Sequence, residues 1–240
     1  MSIDGNIAKI EERLIKVCDS AGRKRDEITL MGVSKFEPEE KIKEAWLGGI
    51  RVFGESRVQE ASSKFASLKA ELPGCGIHLI GSLQRNKAKT AALLFDCVQS
   101  VDRIELIAEL AKHVSARENP LHVMLELHTG EKTKSGFSGL DDLFKAADLI
   151  SACEGLKLSG LMTMAPFTAD TNLIRSSFRQ LFNARKELEK RFPKESCFQK
   201  ESCFPSESLC LSMGMSNDFE IAVEEGSNML RIGSAIFKEE

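Results

Sequence analysis

The chain has 240 residues, 42% hydrophobic and 29% charged, which suits a soluble globular protein with a sizeable core. A net charge of -3, with basic residues scattered among acidic ones, leaves no electrostatic footprint for nucleic acid, and no apolar stretch nears membrane-spanning length. Seven dispersed cysteines without a CxxC pair, and a polar start lacking a secretory apolar core, point to a reducing, cytoplasmic compartment.

A leading helix is expected over about Asn6 to Ala21, with Ile7, Ile10, Leu14 and Val17 on one face. Strand-like runs follow at Thr29 to Ser34, Val52 to Gly54, Ile77 to Gly81 and Cys97 to Val101. Four more lie at His122 to Leu127, Leu158 to Met162, Leu209 to Ser212 and Met229 to Ile232. Eight strands, each followed by a helical or turn segment, predict an α/β chain forming a single (β/α)8 TIM barrel with an extra N-terminal helix. An open doubly wound sheet would announce a G-x-G-x-x-G turn after its first strand, and here that turn reads Ser34-Lys35-Phe36-Glu37-Pro38. No linker divides the chain, so residues 1–240 read as one domain. The tandem repeat of Lys194-Glu195-Ser196-Cys197-Phe198 in Lys200-Glu201-Ser202-Cys203-Phe204 is expected in a surface loop, where a slipped duplication is tolerated. Among the four histidines no two show helical metal-ligand spacing, and no metal site is expected.

Barrel chemistry gathers where strands end. The first strand ends on Lys35, where burial would favour the neutral, nucleophilic amine that captures a carbonyl compound. The bland alternative is a stem packed on the barrel with its head in water. The second strand delivers Gly54, Glu55 and Ser56, and the third delivers Gly81, Ser82, Gln84 and Asn86. The last two deliver Ser212, Met213, Gly214, Met215 and Ser216, then Arg231, Gly233 and Ser234. Small and hydroxyl-bearing residues after strands seven and eight suit a phosphate, with a helix starting at Ser216-Asn217-Asp218 aimed at the same place. Ser216 alone also reads as a plain helix cap. Arg231, between Leu230 and Ile232, should point into the barrel, toward either a structural carboxylate or a ligand. A strand-end lysine, a phosphate cradle and an inward arginine together suit a phosphorylated aromatic aldehyde, with pyridoxal 5'-phosphate (PLP) the leading candidate.

Several stretches then carry a family resemblance: Gly32-Val33-Ser34-Lys35, Phe53-Gly54-Glu55, the run from His78 to Lys87, Lys134-Ser135-Gly136, the run from Gly160 to Met164, Leu211 to Ser216, and Arg231 to Phe237. On these the chain resembles the YggS/PROSC family of pyridoxal phosphate homeostasis proteins, whose domain is similar to the barrel domain of alanine racemases. The resemblance implies that Lys35 holds PLP as an internal aldimine, that Ser212, Gly233 and Ser234 hold the phosphate, and that Arg231 faces the pyridine nitrogen. Ser56 and Met213 complete the expected cofactor contacts. Two departures stand out: Ser56 replaces the family's asparagine after Phe-Gly-Glu, and Leu127-His128 replaces its Val-Asn.

The chain contains no tyrosine, the second base of the related racemases. The expected function is therefore PLP homeostasis without robust turnover, in a monomer that exchanges cofactor with PLP-dependent apoenzymes. The alternatives are a weak racemase-like enzyme with another second base, or a barrel scaffold that has lost the cofactor.

Overall fold

The computed structural model describes residues 2–115, 117–130, 136–192 and 208–238. Among these residues eight parallel strands close into a barrel in chain order: β1 (Thr29–Val33), β2 (Val52–Glu55), β3 (Gly76–Leu79), β4 (Cys97–Val101), β5 (Leu121–Glu126), β6 (Leu156–Met162), β7 (Cys210–Ser212) and β8 (Met229–Ile232). Closure is made by β1 against β8, with Leu30 beside Leu230 and Gly32 beside Ile232. The intervening helices are α2 (Glu39–Leu47), α3 (Val58–Glu71), α4 (Ala88–Leu94), α5 (Ile104–Ala111), α6 (Leu140–Ser151), α7 (Thr171–Arg191), α8 (Phe219–Glu224) and α9 (Ser234–Phe237). The duplicated segment, residues 194–204, lies outside the described residues, as do Lys134 and Ser135.

Strand alternation divides the apolar residues into two cores. Met31, Val52, Cys97, Met124, Met162, Cys210 and Met229 form one cluster, drawn from seven strands, with Ile80 packed beside it just past β3. Their neighbours along the strands, among them Leu30, Phe53, Leu79, Val98 and Leu211, join the larger core between barrel and helices. Both strand faces are thus buried, which is why the strands read as near-continuous apolar runs. Methionine dominates the interior because its unbranched chain fills irregular space.

The expected extra helix is α1 (Ile3–Ala21), which packs against α2, α8 and α9. Ser2 caps it by accepting the Gly5 N–H, and Gly22 ends it at φ +65°. Its buried face carries Ile3, Ile7, Ile10, Leu14 and Val17. Asn6 on the same face donates to the carbonyls of Ile236 and Lys238, tying the two ends of the chain together. Among the described residues no helix is long and apolar enough to cross a membrane.

The third strand stops at Leu79, short of the expected Gly81. There the chain passes close to the backbone just past β2: a Cβ on Gly81 would sit 2.3 Å from the Ser56 carbonyl oxygen, so glycine alone allows this approach.

Candidate functional site

The site lies at the C-terminal ends of the strands, and its first component is the turn after β1. Ser34 is fully buried and donates to Glu55 Oε1 at 2.7 Å. Lys64, reaching in from α3, donates to the Ser34 carbonyl at 2.7 Å and to Glu55 at 2.9 Å, and lies 3.0 Å from Glu60. Glu60 in turn accepts the Phe36 N–H at 2.6 Å. Phe36 stands at φ +66°, a left-handed conformation that a bulky residue adopts only when its surroundings impose it. Lys35 is therefore flanked by two residues held by the same cluster. Burial raises the Glu55 carboxyl above its ordinary range, against the opposing pull of Lys64 and Ser34.

Lys35 itself is exposed. Of the two readings of the apolar run, burial is not the one found, because β1 ends at Val33 and the turn carries the lysine beyond the strand. Its placement matches the alternative with the amine in water.

The floor is built around Arg231, which is 4% exposed. Its Nη1 donates to Ser212 Oγ at 2.8 Å and its Nη2 to the Thr163 carbonyl at 2.7 Å. Burial lowers the guanidinium pKa to about 10, opposed by the carboxylates of Asp218 and Glu126. Within the protein its direct partners are a hydroxyl and a backbone carbonyl, with carboxylates at longer range. Ser212 Oγ continues to Gln99 Oε1 at 2.6 Å, and Gln99 Nε2 lies 2.8 Å from His78 Nδ1.

Two expected ligands stand elsewhere than the rim. Ser212 is fully buried, with its hydroxyl accepting from Arg231 and donating to Gln99, so it supports the arginine rather than facing solvent. Met213 is also fully buried, in the core between barrel and helices, and its N–H donates to the Met229 carbonyl. The alternation of β7 dictates both positions: Cys210 and Ser212 point inward, while Leu211 and Met213 point outward.

Gly233, Ser234 and Ser216 do meet at the rim, with Ser234 Oγ 3.4 Å from Ser216 Oγ. Ser216 does not cap α8; Asp218 directly precedes that helix and accepts the Met215 N–H. Ser56 is half-buried just past β2, on the face continued from Val52 and Gly54, and half-buried His128 follows β5 in a cleft with Glu126, Thr163 and Met164.

A family model described as "Alanine racemase, N-terminal domain" matches residues 10–240. The pyridoxal phosphate homeostasis protein of Vibrio cholerae is 35% identical over 241 residues, covering 99% of this chain and 96% of its own. The chain belongs to the pyridoxal phosphate homeostasis protein family. The Escherichia coli K12 member is 34% identical over 97% of this chain and 94% of its own. Among solved structures, PipY of Synechococcus elongatus with PLP bound superposes with a TM-score of 0.81 at 30% identity, covering 99% of this chain and all of that one. Alanine racemase from E. faecalis, at 16% identity and a TM-score of 0.69, shares the fold over 59% of its length.

For this member of the family, the residues present fit PLP by donor chemistry: an accessible amine, a hydroxyl-lined rim of small residues, and a buried guanidinium with both terminal nitrogens anchored. Sequence reasoning missed Gln99 and the Glu60 and Lys64 partners of Glu55, and it named Thr163 only within a family stretch, without its bond to Arg231. A glutamine two residues after inward Cys97 was the available signal for Gln99, and the i,i+4 spacing of Glu60 and Lys64 was the signal for the cluster.

His78 carries a pH dependence. Complete burial, with His122 nearby, holds its imidazole neutral, with a pKa of about 3 against 6.5 when unfolded. Below pH about 6 the unfolded chain binds the proton and the folded one does not, so this contribution is full above that pH and fades as acid approaches pH 3. The expected loss is roughly 1.4 kcal/mol per pH unit from this group. Urea unfolding of wild type and His78→Gln between pH 7 and about 4 checks it, because the variant should show the shallower slope.

Proposed function

We propose that this chain binds pyridoxal 5'-phosphate and serves PLP homeostasis in the cytoplasm, as a single barrel domain working as a monomer. It captures the cofactor, holds it and releases it to PLP-dependent apoenzymes. Two findings support the reading: close relatives named for PLP homeostasis, and a structural neighbour at 30% identity that holds PLP. The observation that carries it in this chain is the convergence of the Lys35 turn, the Gly233, Ser234 and Ser216 rim and the anchored Arg231 on one end of the barrel.

Each residue then has a distinct task. Lys35 would hold the cofactor through its primary amine, the group able to condense with an aldehyde. The hydroxyls of Ser216 and Ser234 would donate to phosphate oxygens, with the Gly233 backbone beside them. Arg231 would present its remaining donors to the pyridine ring, and a cation that does not readily give up a proton would leave the ring nitrogen largely unprotonated. When bound, PLP supplies an electron sink for amino acid chemistry; an unprotonated ring weakens that sink. Ser56 offers a single shorter hydrogen bond where relatives present an amide.

The test is the near-ultraviolet and visible absorbance of the purified protein before and after borohydride, with mass mapping of the modified peptide. A reducible band mapped to Lys35 is expected. No band after addition of excess PLP overturns the reading, and sustained racemisation of amino acids by the loaded protein would replace the carrier with a weak racemase.

A further inference from the structure

A polar chain runs through the barrel interior beneath Arg231 that cofactor binding by itself does not require. Four side chains compose it, Arg231, Ser212, Gln99 and His78, from β8, β7, β4 and β3, and all are 4% exposed or less. Gln99 is its centre. Its amide oxygen lies 2.6 Å from Ser212 Oγ, and its amide nitrogen lies 2.8 Å from His78 Nδ1 and 3.1 Å from Met229 Sδ.

With the Gln99 amide nitrogen turned toward His78 and Met229 Sδ, the bonds of this chain all run one way. A guanidinium only donates, so Ser212 Oγ accepts from Arg231, and the one hydroxyl proton goes on to Gln99 Oε1. The amide nitrogen must then donate to His78 Nδ1, which accepts only in the neutral ring. Burial keeps that ring neutral, and the second interior histidine, His122, is occupied with Ser159 Oγ at 2.5 Å. An amide suits this place because it joins an acceptor and a donor rigidly in one plane. Without it, the buried Ser212 proton loses its partner, and the hydroxyl turns to find another. Arg231 would then keep one firm anchor, the Thr163 carbonyl, and its plane could swing about that single bond.

We propose that Gln99 is a positioning residue for the cofactor: acting through Ser212, it fixes the plane in which Arg231 presents its remaining donors to the bound ligand. The proposal rests on the reading of this site as a PLP site. It gives Ser212 a role that its buried position supports, and it links the floor of the site to β4, a strand that brings no other residue to Arg231 among the bonds described.

The test is a double-mutant cycle of Gln99→Leu and Ser212→Ala, read by PLP titration, by the absorbance maximum of the bound cofactor and by the thermal midpoint without cofactor. Gln99→Leu is expected to weaken PLP binding about tenfold and to shift the absorbance maximum. Because both residues act through one chain, Ser212→Ala should reproduce the shift, and the double variant should be no worse than the more severe single one. An unchanged affinity and maximum in Gln99→Leu, with only a lower midpoint, would make Gln99 a structural residue and overturn the proposal. Additive losses would also overturn it, since Gln99 would then act independently of Ser212. If Gln99→Leu does not fold, an unchanged maximum in Ser212→Ala overturns it equally. Absence of a reducible band in the wild type removes the PLP reading itself; a wild-type band with unaltered variants removes only the role of Gln99.

Discussion

Lys35→Ala abolishes the borohydride-reducible band and the cofactor mass on the peptide that contains residue 35, and leaves the folded protein essentially as stable as wild type. The two halves of this expectation have separate grounds. The covalent link needs a primary amine at the rim, and alanine supplies none. Stability should change by no more than about 0.5 kcal/mol, because Lys35 is exposed and its side chain makes no hydrogen bond or ion pair among the described residues. The backbone of the turn is secured without it, by Lys64 on the Ser34 carbonyl and Glu60 on the Phe36 N–H. Circular dichroism and a thermal melt check the fold, while absorbance and peptide mass check the link. Retention of the reducible cofactor would move the anchor to another lysine, with Lys87, half-buried beyond β3, and Lys134 the next to examine.

Arg231→Ala should damage stability and cofactor binding together. Removing the guanidinium deprives the Thr163 carbonyl and the Ser212 hydroxyl of their donor, takes away the cation that faces Asp218 and Glu126, and opens a void in the barrel. Breaking a buried, partnered charge costs about 3–5 kcal/mol. At roughly 2–4 °C per kcal/mol for a chain of this size, the midpoint should fall on the order of 10 °C. Whatever protein remains folded should bind PLP weakly, with a shifted absorbance maximum. Arg231→Lys separates charge from geometry: it keeps a cation but cannot reach both Ser212 and Thr163 with a planar fork. Its midpoint should lie between those of wild type and the alanine variant, with the spectrum still displaced. A midpoint and spectrum equal to wild type in Arg231→Ala would mean that the arginine carries neither burden. Calorimetry without cofactor and PLP titration measure the two effects apart.

Both variants probe the same division between local and distant information. The barrel was legible because its signals are local. Each strand is a short apolar run bounded by turn residues, and two of the predicted runs, Cys97–Val101 and Met229–Ile232, coincide with the observed strands. The inward direction of Arg231 was likewise readable from its apolar neighbours Leu230 and Ile232. The lysine, glycine and serine positions at strand ends follow from the same reading, since a barrel gathers its strand ends on one face.

What escaped depends on registers between strands far apart in the chain. No spacing reveals that residue 99 will meet residues 78, 212 and 231, because that requires β4 to face β7 and β8 across the closed barrel. The depth at which a strand ends was equally hidden. Ser212 reads as a rim residue beside Gly214 and Ser216, but it is fully buried and its hydroxyl accepts from Arg231. For Lys35 the sequence left a buried amine and one in water both open, and the structure places it exposed, because β1 stops two residues before it. The sequence by itself determined the number of strands, their order and the chemical types available at their ends, since alternation and turn chemistry act over a few residues. The tertiary structure alone decided which of those groups are buried and which partners orient them, because burial and hydrogen-bond direction arise only when distant strands share one dry interior.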